Sequence, residues 1–196
     1  MAASRSEPLP GLSAHHRALL LRVAREALET HLTAGRHPAL HSDDPVLRAP
    51  RATFVTLRRR ANGDLRGCRG ETRPTRPLID AVAYTTIASA TDDPRFAPVT
   101  APEIPSLAIE ISVLTPLALI AATDVVVGRH GLMVEQRGRA GLLLPQVPLE
   151  QGWDRETFLR WVCRKAGLAD DAWRAADTTL YGFETVAWAE KDATAP

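Results

Sequence analysis

Two kinds of hydrophobic pattern alternate along this chain. Apolar residues recur at helical spacing in three segments, where we predict helices: 13–30, 78–90 and 155–166. Segments rich in β-forming residues, several with apolar and polar positions in alternation, predict strands over 52–59, 107–114, 131–136, 140–144 and 180–189. Asn62-Gly63 follows the first strand and predicts a type I′ turn, with φ > 0 at both positions and a return strand from Asp64.

The predicted strands occur as hairpins with helices between them. This order is typical of an α+β fold and not of a doubly wound parallel sheet. The length of 196 residues suits one domain, or one domain with a smaller appended lobe. We expect residues 1–12 to be a disordered arm and residues 13–190 to form the domain.

Composition and charge narrow the classes of function. Apolar residues make up 45% of the chain and the net charge is +1, which argues against general nucleic-acid binding. Hydrophobic runs are too short for a membrane span, and residues 1–10 do not resemble a signal peptide. Cys68 and Cys163 fit no metal or redox spacing. We therefore expect a reduced, cytoplasmic protein that binds no membrane, with no metal site and no cofactor.

The segment Leu65-Arg66-Gly67-Cys68-Arg69-Gly70 is the main candidate site. Gly67 and Gly70 let the backbone approach a ligand closely. Flanking arginines favour the thiolate of Cys68, which is the nucleophilic form. The alternative is that Cys68 is a small packed residue at a strand end, as most free cysteines are.

Seven arginines and two acidic residues lie between positions 58 and 76. Together with glycine amides, they could form a cradle for an anion or a carboxylate. The alternative is a charged hairpin edge that discourages aggregation. We favour a ligand role for Arg66, expect Arg66 and Arg95 to be exposed, and expect both to serve binding more than stability.

Further candidates lie outside this segment. Asp93-Pro94-Arg95-Phe96 ends the second predicted helix, either as a local ion pair or as a turn that returns beside Cys68. Glu110 and Ser112 share the less apolar face of strand 107–114, and Glu110 could pair with Arg66 or Arg95. His130 is a candidate base or a structural histidine, and Gln146 could donate to a ligand.

The position of Arg69 follows from strand alternation. Cys68 and Arg69 should point to opposite faces, and an unpaired buried guanidinium would be costly. We expect Arg69 to pair with an acid or to extend its head group to water at the rim of the site, where it would add positive charge.

Seven segments, in this order, resemble the AMMECR domain family, whose prokaryotic members are called AmmeMemoRadiSam system protein A. They are Phe54-Val55-Thr56-Leu57, Leu65-Arg66-Gly67-Cys68-x-Gly70, Asp93-Pro94-Arg95-Phe96, Glu110-Ile111-Ser112-Val113-Leu114, Gly128-x-His130-Gly131, Leu143-Leu144-Pro145-Gln146-Val147 and Lys165-Ala166-Gly167-Leu168. The likeness covers residues 14–190. Arg69 departs from it, since the family usually has an apolar residue there, typically isoleucine.

This resemblance implies an antiparallel sheet flanked by helices, a smaller lobe, and a cleft lined by the Leu-Arg-Gly-Cys segment. It also implies two companions, a Memo-like protein and a radical SAM enzyme. Two functions follow as hypotheses. The first is an accessory component that binds a small anionic ligand or a partner's peptide. The second is a group-transfer enzyme with Cys68 as nucleophile and His130 or Glu110 as base. We favour the first, because the sequence contains no evident nucleophile–base pair or metal-ligand set.

Overall fold

The computed structural model describes residues 12–190, so the predicted arm lies outside the described residues except for Leu12, which is buried. The described residues form two compact units. The first contains residues 12–113 and 186–190, and the second contains residues 114–185. Each unit combines helices with a four-stranded sheet, and the α+β prediction is confirmed.

The regular elements follow the hydrophobic pattern closely. The helices are α1 (Ala14–Ala34), α2 (Pro45–Arg48), α3 (Leu78–Thr91), α4 (Gln146–Glu150) and α5 (Arg155–Lys165). The strands are β1 (Thr53–Arg59), β2 (Leu65–Glu71), β3 (Leu107–Leu114), β4 (Ala118–Leu119), β5 (Gly131–Gln136), β6 (Arg139–Leu143), β7 (Thr179–Phe183) and β8 (Thr185–Ala189). Short 3-10 helices span Ala101–Ser106, Ala122–Asp124 and Ala172–Arg174.

Local chemistry fixes the ends of the two helices with the clearest caps. The Ser13 hydroxyl accepts from the His16 amide, and the His16 ring accepts from the Ser13 amide, which together form a capping box at the start of α1. Gly35 ends α1 with φ +64°, a conformation that favours glycine. Asp154 caps α5 by accepting from the Thr157 amide.

The first unit has the strand order β2-β1-β3-β8, with β1 antiparallel to both β2 and β3. Its core is formed by the inner face of this sheet together with α1 and α3, and α3 packs on β1 and β2. Val55, Leu57, Ile109 and Ile111 are fully buried on that face. Burial of each such side chain stabilises the fold by about 2 kcal/mol. This packing positions β2, an edge strand, against the C-terminal half of α3.

The second unit has the strand order β4-β7-β5-β6. Its core contains Leu132, Val134, Phe158, Val162 and Leu180, and α5 packs on β5 and β6. The predicted strands 131–136 and 140–144 form a hairpin, and its turn residues Arg137 and Gly138 both have φ > 0.

Two local predictions were wrong. Only Gly63 of the Asn62-Gly63 pair has φ > 0, because the hairpin closes between Arg59 and Asp64 through a longer loop and not a two-residue turn. The predicted final strand 180–189 is two strands, β7 and β8, which belong to different sheets. The polar pair Glu184-Thr185 lies at the break, but the sequence pattern alone did not show that the two halves join different sheets.

Candidate functional site

Cys68 lies in a row of three side chains that runs across neighbouring strands. Thr56 of β1 is directly opposite Cys68 of β2 and directly opposite Glu110 of β3. Directly opposed residues share a face of the sheet, and this face is turned away from the helix-packed core. The Thr56 hydroxyl donates to Cys68 Sγ at 3.3 Å. The half-buried thiol is therefore held by a neighbouring strand.

A second row beside it contains Gly70, Phe54 and Ser112. A Cβ atom on Gly70 would overlap the ring of Phe54, so glycine lets that ring lie close over β2. Ser112 is only 4% exposed, and its hydroxyl has no hydrogen-bond partner among residues 12–190. We call these two rows together the Cys68 face: Cys68, Thr56, Glu110, Gly70, Phe54 and Ser112.

Asp93 returns to β2 at the end of α3. Its buried carboxylate accepts from the amide of Cys68 at 2.8 Å. It also accepts from the amide of Arg95 and, in a bidentate pair, from Arg95 Nε at 2.9 Å and Nη2 at 2.7 Å. The Arg95 guanidinium, together with these amides, holds the pKa of Asp93 well below its usual range despite burial. Asp93 thus positions both Cys68 and Arg95.

Arg95 is the charged group of this site that is open to solvent. Its side chain is 55% exposed, and its guanidinium carbon lies 5.5 Å from the centroid of the Phe96 ring. Cys68 and Arg95 Nη2 donate to the same oxygen of Asp93. A fixed guanidinium therefore lies beside the strand that carries the thiol.

Ser89 and Gly67 make the approach of β2 to α3 possible. The amide of Arg69 donates to the Ser89 hydroxyl at 2.9 Å. A Cβ atom on Gly67 would overlap the backbone oxygen of Ser89. Gly67 is thus required for close helix–strand packing, whereas a role in ligand binding was expected.

Arg66 was expected to be exposed and to bind a ligand, but it is buried, with only 7% of its surface exposed. Its guanidinium forms a bidentate pair with Glu103, at 2.9 and 3.2 Å, and donates to the carbonyl oxygens of Ala97 and Pro98. Hydrogen bonding from Arg66 lowers the pKa of Glu103 to about 2. These partners use the donors of Arg66 within the fold, so Arg66 is a structural residue.

Arg69 also lies elsewhere than expected. It is opposite Val55, on the face of β2 that is turned toward α3 and away from Cys68. Its side chain is exposed, which matches the expectation that the head group reaches water. The expected added charge at the Cys68 site is wrong, because neighbouring residues of a strand face opposite sides.

The remaining predicted residues separate into two groups. Glu110 lies on the Cys68 face, but Arg58 Nε donates to its carboxylate at 3.4 Å, so its partner is neither Arg66 nor Arg95. His130 and Gln146 belong to the second unit. His130 Nδ1 accepts from the Val126 amide at 3.1 Å, and burial and the nearby Arg129 lower the pKa of His130.

Sequence reasoning missed Thr56 and Ser89. Thr56 was recognisable only as a polar position in an alternating strand, and Ser89 only as a polar residue on the buried side of a helix.

No group of three or more metal-ligating side chains is found among residues 12–190. In the same part of the chain, every helix is too short or too polar to cross a bilayer.

Comparisons with known proteins agree with this architecture. The family model AMMECR1 matches residues 21–188. A protein of Thermofilum pendens is 43% identical over 195 residues, covering 91% of this chain and 92% of its own. Protein PH0010 of Pyrococcus horikoshii is 45% identical over 174 residues, covering 84% of each chain. The crystal structure of PH0010, described as an uncharacterized protein, superposes with a TM-score of 0.82 at 42% identity, covering 91% of this chain and 93% of that one.

Proposed function

Because this chain belongs to the AMMECR1 family, we propose that it is a binding component whose Cys68 face holds a small anionic ligand without turning it over. It acts as an accessory protein beside a Memo-like protein and a radical SAM enzyme, the companions that the family resemblance implies. The ligand carries a carboxylate or phosphate group that Arg95 recognises.

The geometry of Arg95 supports this proposal most directly. Asp93 fixes the guanidinium through Nε and Nη2, while the Nη1 donors have no partner among the described residues. An arginine presents its N–H groups in a rigid fork that suits planar oxyanions. Arg95 is therefore oriented by one carboxylate and still open to a second. The hydroxyl of Thr56 and the unpartnered hydroxyl of Ser112 supply polar contacts on the adjacent face.

Among the described residues of its unit, Cys68 has no base close enough to remove its proton. This argues against turnover by Cys68. A general base must come within about 3 Å of the proton that it removes. Glu110 lies two strands away, roughly 10 Å across the sheet, and is paired with Arg58. Asp93 contacts the amide of Cys68, and its lowered pKa makes it a weak base.

Ligand binding can be tested by calorimetric titration with succinate and with inorganic phosphate. Arg95→Ala should weaken binding of at least one probe by about tenfold, the worth of one charge-assisted contact. Arg164→Ala is a matched control, since Arg164 is a half-exposed arginine that forms a bidentate pair with Asp170 in the second unit. Equal loss in both variants, or unchanged binding in Arg95→Ala, would remove Arg95 from the site.

Catalysis is tested separately with excess p-nitrophenyl acetate. A binding component should be acetylated at Cys68 at most once per chain, as measured by intact mass. Multiple turnovers that disappear in Cys68→Ser would replace the binding function with group transfer.

Co-elution of the purified protein with a Memo-like protein and a radical SAM enzyme from the same organism tests the partnership, and independent elution of all three would contradict it.

A further inference from the structure

We propose that the face of β2 opposite Cys68 carries a second site, an arginine patch that docks an acidic segment of a partner protein. The arginine patch consists of Arg69, Glu71, Arg73, Arg76 and Tyr84. It lies beside the edge strand of the first unit and is independent of the proposed ligand site, because its two residues on β2, Arg69 and Glu71, lie on the opposite face of the strand from Cys68.

Contacts join three of these residues, Glu71, Arg76 and Tyr84, and the other two lie near them in the chain. Arg69 and Glu71 are two positions apart in β2 and share a face. Glu71 Oε1 accepts from Arg76 Nη2 at 3.0 Å, and the Arg76 guanidinium carbon lies 3.8 Å above the centre of the Tyr84 ring. Arg73 is exposed in the loop that joins Glu71 to Arg76. One surface therefore presents three guanidinium groups and an aromatic ring.

The charges of this surface are not balanced. Arg76 and the Thr75 hydroxyl already bind the Glu71 carboxylate. The side chains of Arg69 and Arg73 have no hydrogen-bond or ion-pair partner among residues 12–190. Two exposed guanidinium groups are thus available to carboxylates of another molecule.

Tyr84 is the exposed residue in an otherwise buried helix. It is 42% exposed, whereas the rest of α3 from Leu78 to Ala90 is buried or half-buried. Its ring lies under Arg76 and adds apolar surface to the patch. An aromatic residue with neighbouring arginines is typical of the centre of a protein-binding surface. An acidic protein segment can bind the guanidinium groups and contact the ring at the same time.

The occupant is recognised through side chains and not by addition of a strand. The outward amide of β2 at Cys68 donates to the Asp93 carboxylate, so the edge is already occupied at this position and cannot pair with another strand there. Nucleic acid is disfavoured by the net charge of +1. An acidic, partly apolar protein segment fits the remaining chemistry.

The test uses the full-length chain and a fluorescein-labelled hexaglutamate peptide, measured by fluorescence anisotropy at low salt. The double variant Arg69→Ala/Arg73→Ala should weaken binding about fivefold or more, the amount that two exposed ion pairs supply. The control Arg22→Ala/Arg36→Ala removes the same charge from two exposed arginines elsewhere in the first unit. It should bind as the unmodified protein does.

Tyr84→Ala should also weaken binding of a peptide in which leucine replaces two of the glutamates, because the ring supplies apolar contact. The proposal is overturned if the two double variants lose affinity equally, since net charge alone would then explain binding. It is also overturned if no peptide binds, or if an oligothymidylate of matched charge binds the patch more tightly than the peptides do.

Discussion

The amide of Cys68 donates to Oδ2 of Asp93, a residue 25 positions later in the chain. That carboxylate also holds Arg95, so one buried acid fixes the thiol-bearing strand and the neighbouring guanidinium at once. Ser89 accepts from the next amide of the strand and donates to the carbonyl oxygen of Val55, so that amide is on the β1 side. The outward amide at Cys68 is bound to Asp93, which protects the edge strand at this position against pairing with another chain.

Removing this carboxylate should destabilise the first unit. Asp93→Ala leaves the Cys68 amide without its acceptor and Arg95 without its partner, at a cost of about 2–3 kcal/mol in the free energy of unfolding. Asp92→Ala is the matched control. Asp92 is exposed, so this substitution should change the free energy of unfolding by no more than about 0.5 kcal/mol. Urea unfolding measures both. A similar small effect of both variants would contradict the anchoring role of Asp93.

Arg66→Ala should be among the more damaging arginine substitutions in this chain. The guanidinium is buried with Glu103 and two backbone carbonyls, and breaking such a pair costs about 3–5 kcal/mol. The melting temperature should fall by roughly 10 °C or more. Arg59 lies 4.0 Å from the same Glu103 but is half-exposed, so Arg59→Ala should change little. An unchanged melting temperature in Arg66→Ala would show that the buried pair of Arg66 and Glu103 does not stabilise the fold.

The sequence predicted the elements of the fold well because their signals are local. Ser13, Gly35 and Asp154 mark helix ends through hydrogen bonds within one turn or a positive φ, and β3 has the predicted bounds, 107–114, with burial that alternates from Leu107 to Ile111. The break between β7 and β8 escaped prediction, because membership of different sheets is decided by pairing with distant strands.

The candidate site was predicted only in part, for a physical reason. Alternation placed Cys68 and Arg69 on opposite faces, and the turn after α3 does bring Asp93 and Arg95 back to Cys68. Whether an arginine is buried, however, depends on acids elsewhere in the chain. Glu103 is 37 positions from Arg66, and no local pattern connects them.

Acid should weaken the Arg66–Glu103 pair within a defined pH range. The folded-state pKa of Glu103 is lowered from 4.5 to about 2, so its contribution is fully present above pH 4.5 and is lost as the pH falls through about 2. Urea unfolding of the unmodified protein and of Glu103→Gln should therefore show a stability difference that shrinks between pH 4.5 and 2. A difference independent of pH would show that the charge of Glu103 does not stabilise the fold.

Cys68 should react with iodoacetamide before Cys163 does. Cys163 is fully buried in the second unit, and burial raises the pKa of its thiol, whereas Cys68 is half-buried. Limiting reagent followed by peptide mapping should show labelling of Cys68 at least about tenfold faster in the native protein. Both cysteines should label in urea, which controls for their intrinsic chemistry. Equal rates in the native state, or faster labelling of Cys163, would contradict the difference in access.

Gly67 and Gly70 offer a final comparison, because each is close to a different kind of neighbour. A methyl group on Gly67 would overlap the backbone oxygen of Ser89, which the helix holds in place, whereas one on Gly70 would overlap the Phe54 ring, which can rotate. Gly67→Ala should therefore cost about 3 kcal/mol in the free energy of unfolding, and Gly70→Ala about 1 kcal/mol.

Urea unfolding measures this difference, and iodoacetamide labelling of Cys68 supplies a second measurement. If Gly67→Ala pushes β2 away from α3, the Cys68 amide loses Asp93 and the thiol should become more accessible, so its labelling rate should rise. In Gly70→Ala the amide contact remains, and the rate should stay near that of the unmodified protein. Equal costs and equal rates for the two variants would mean that Gly67 does not set the spacing that holds Cys68 against Asp93.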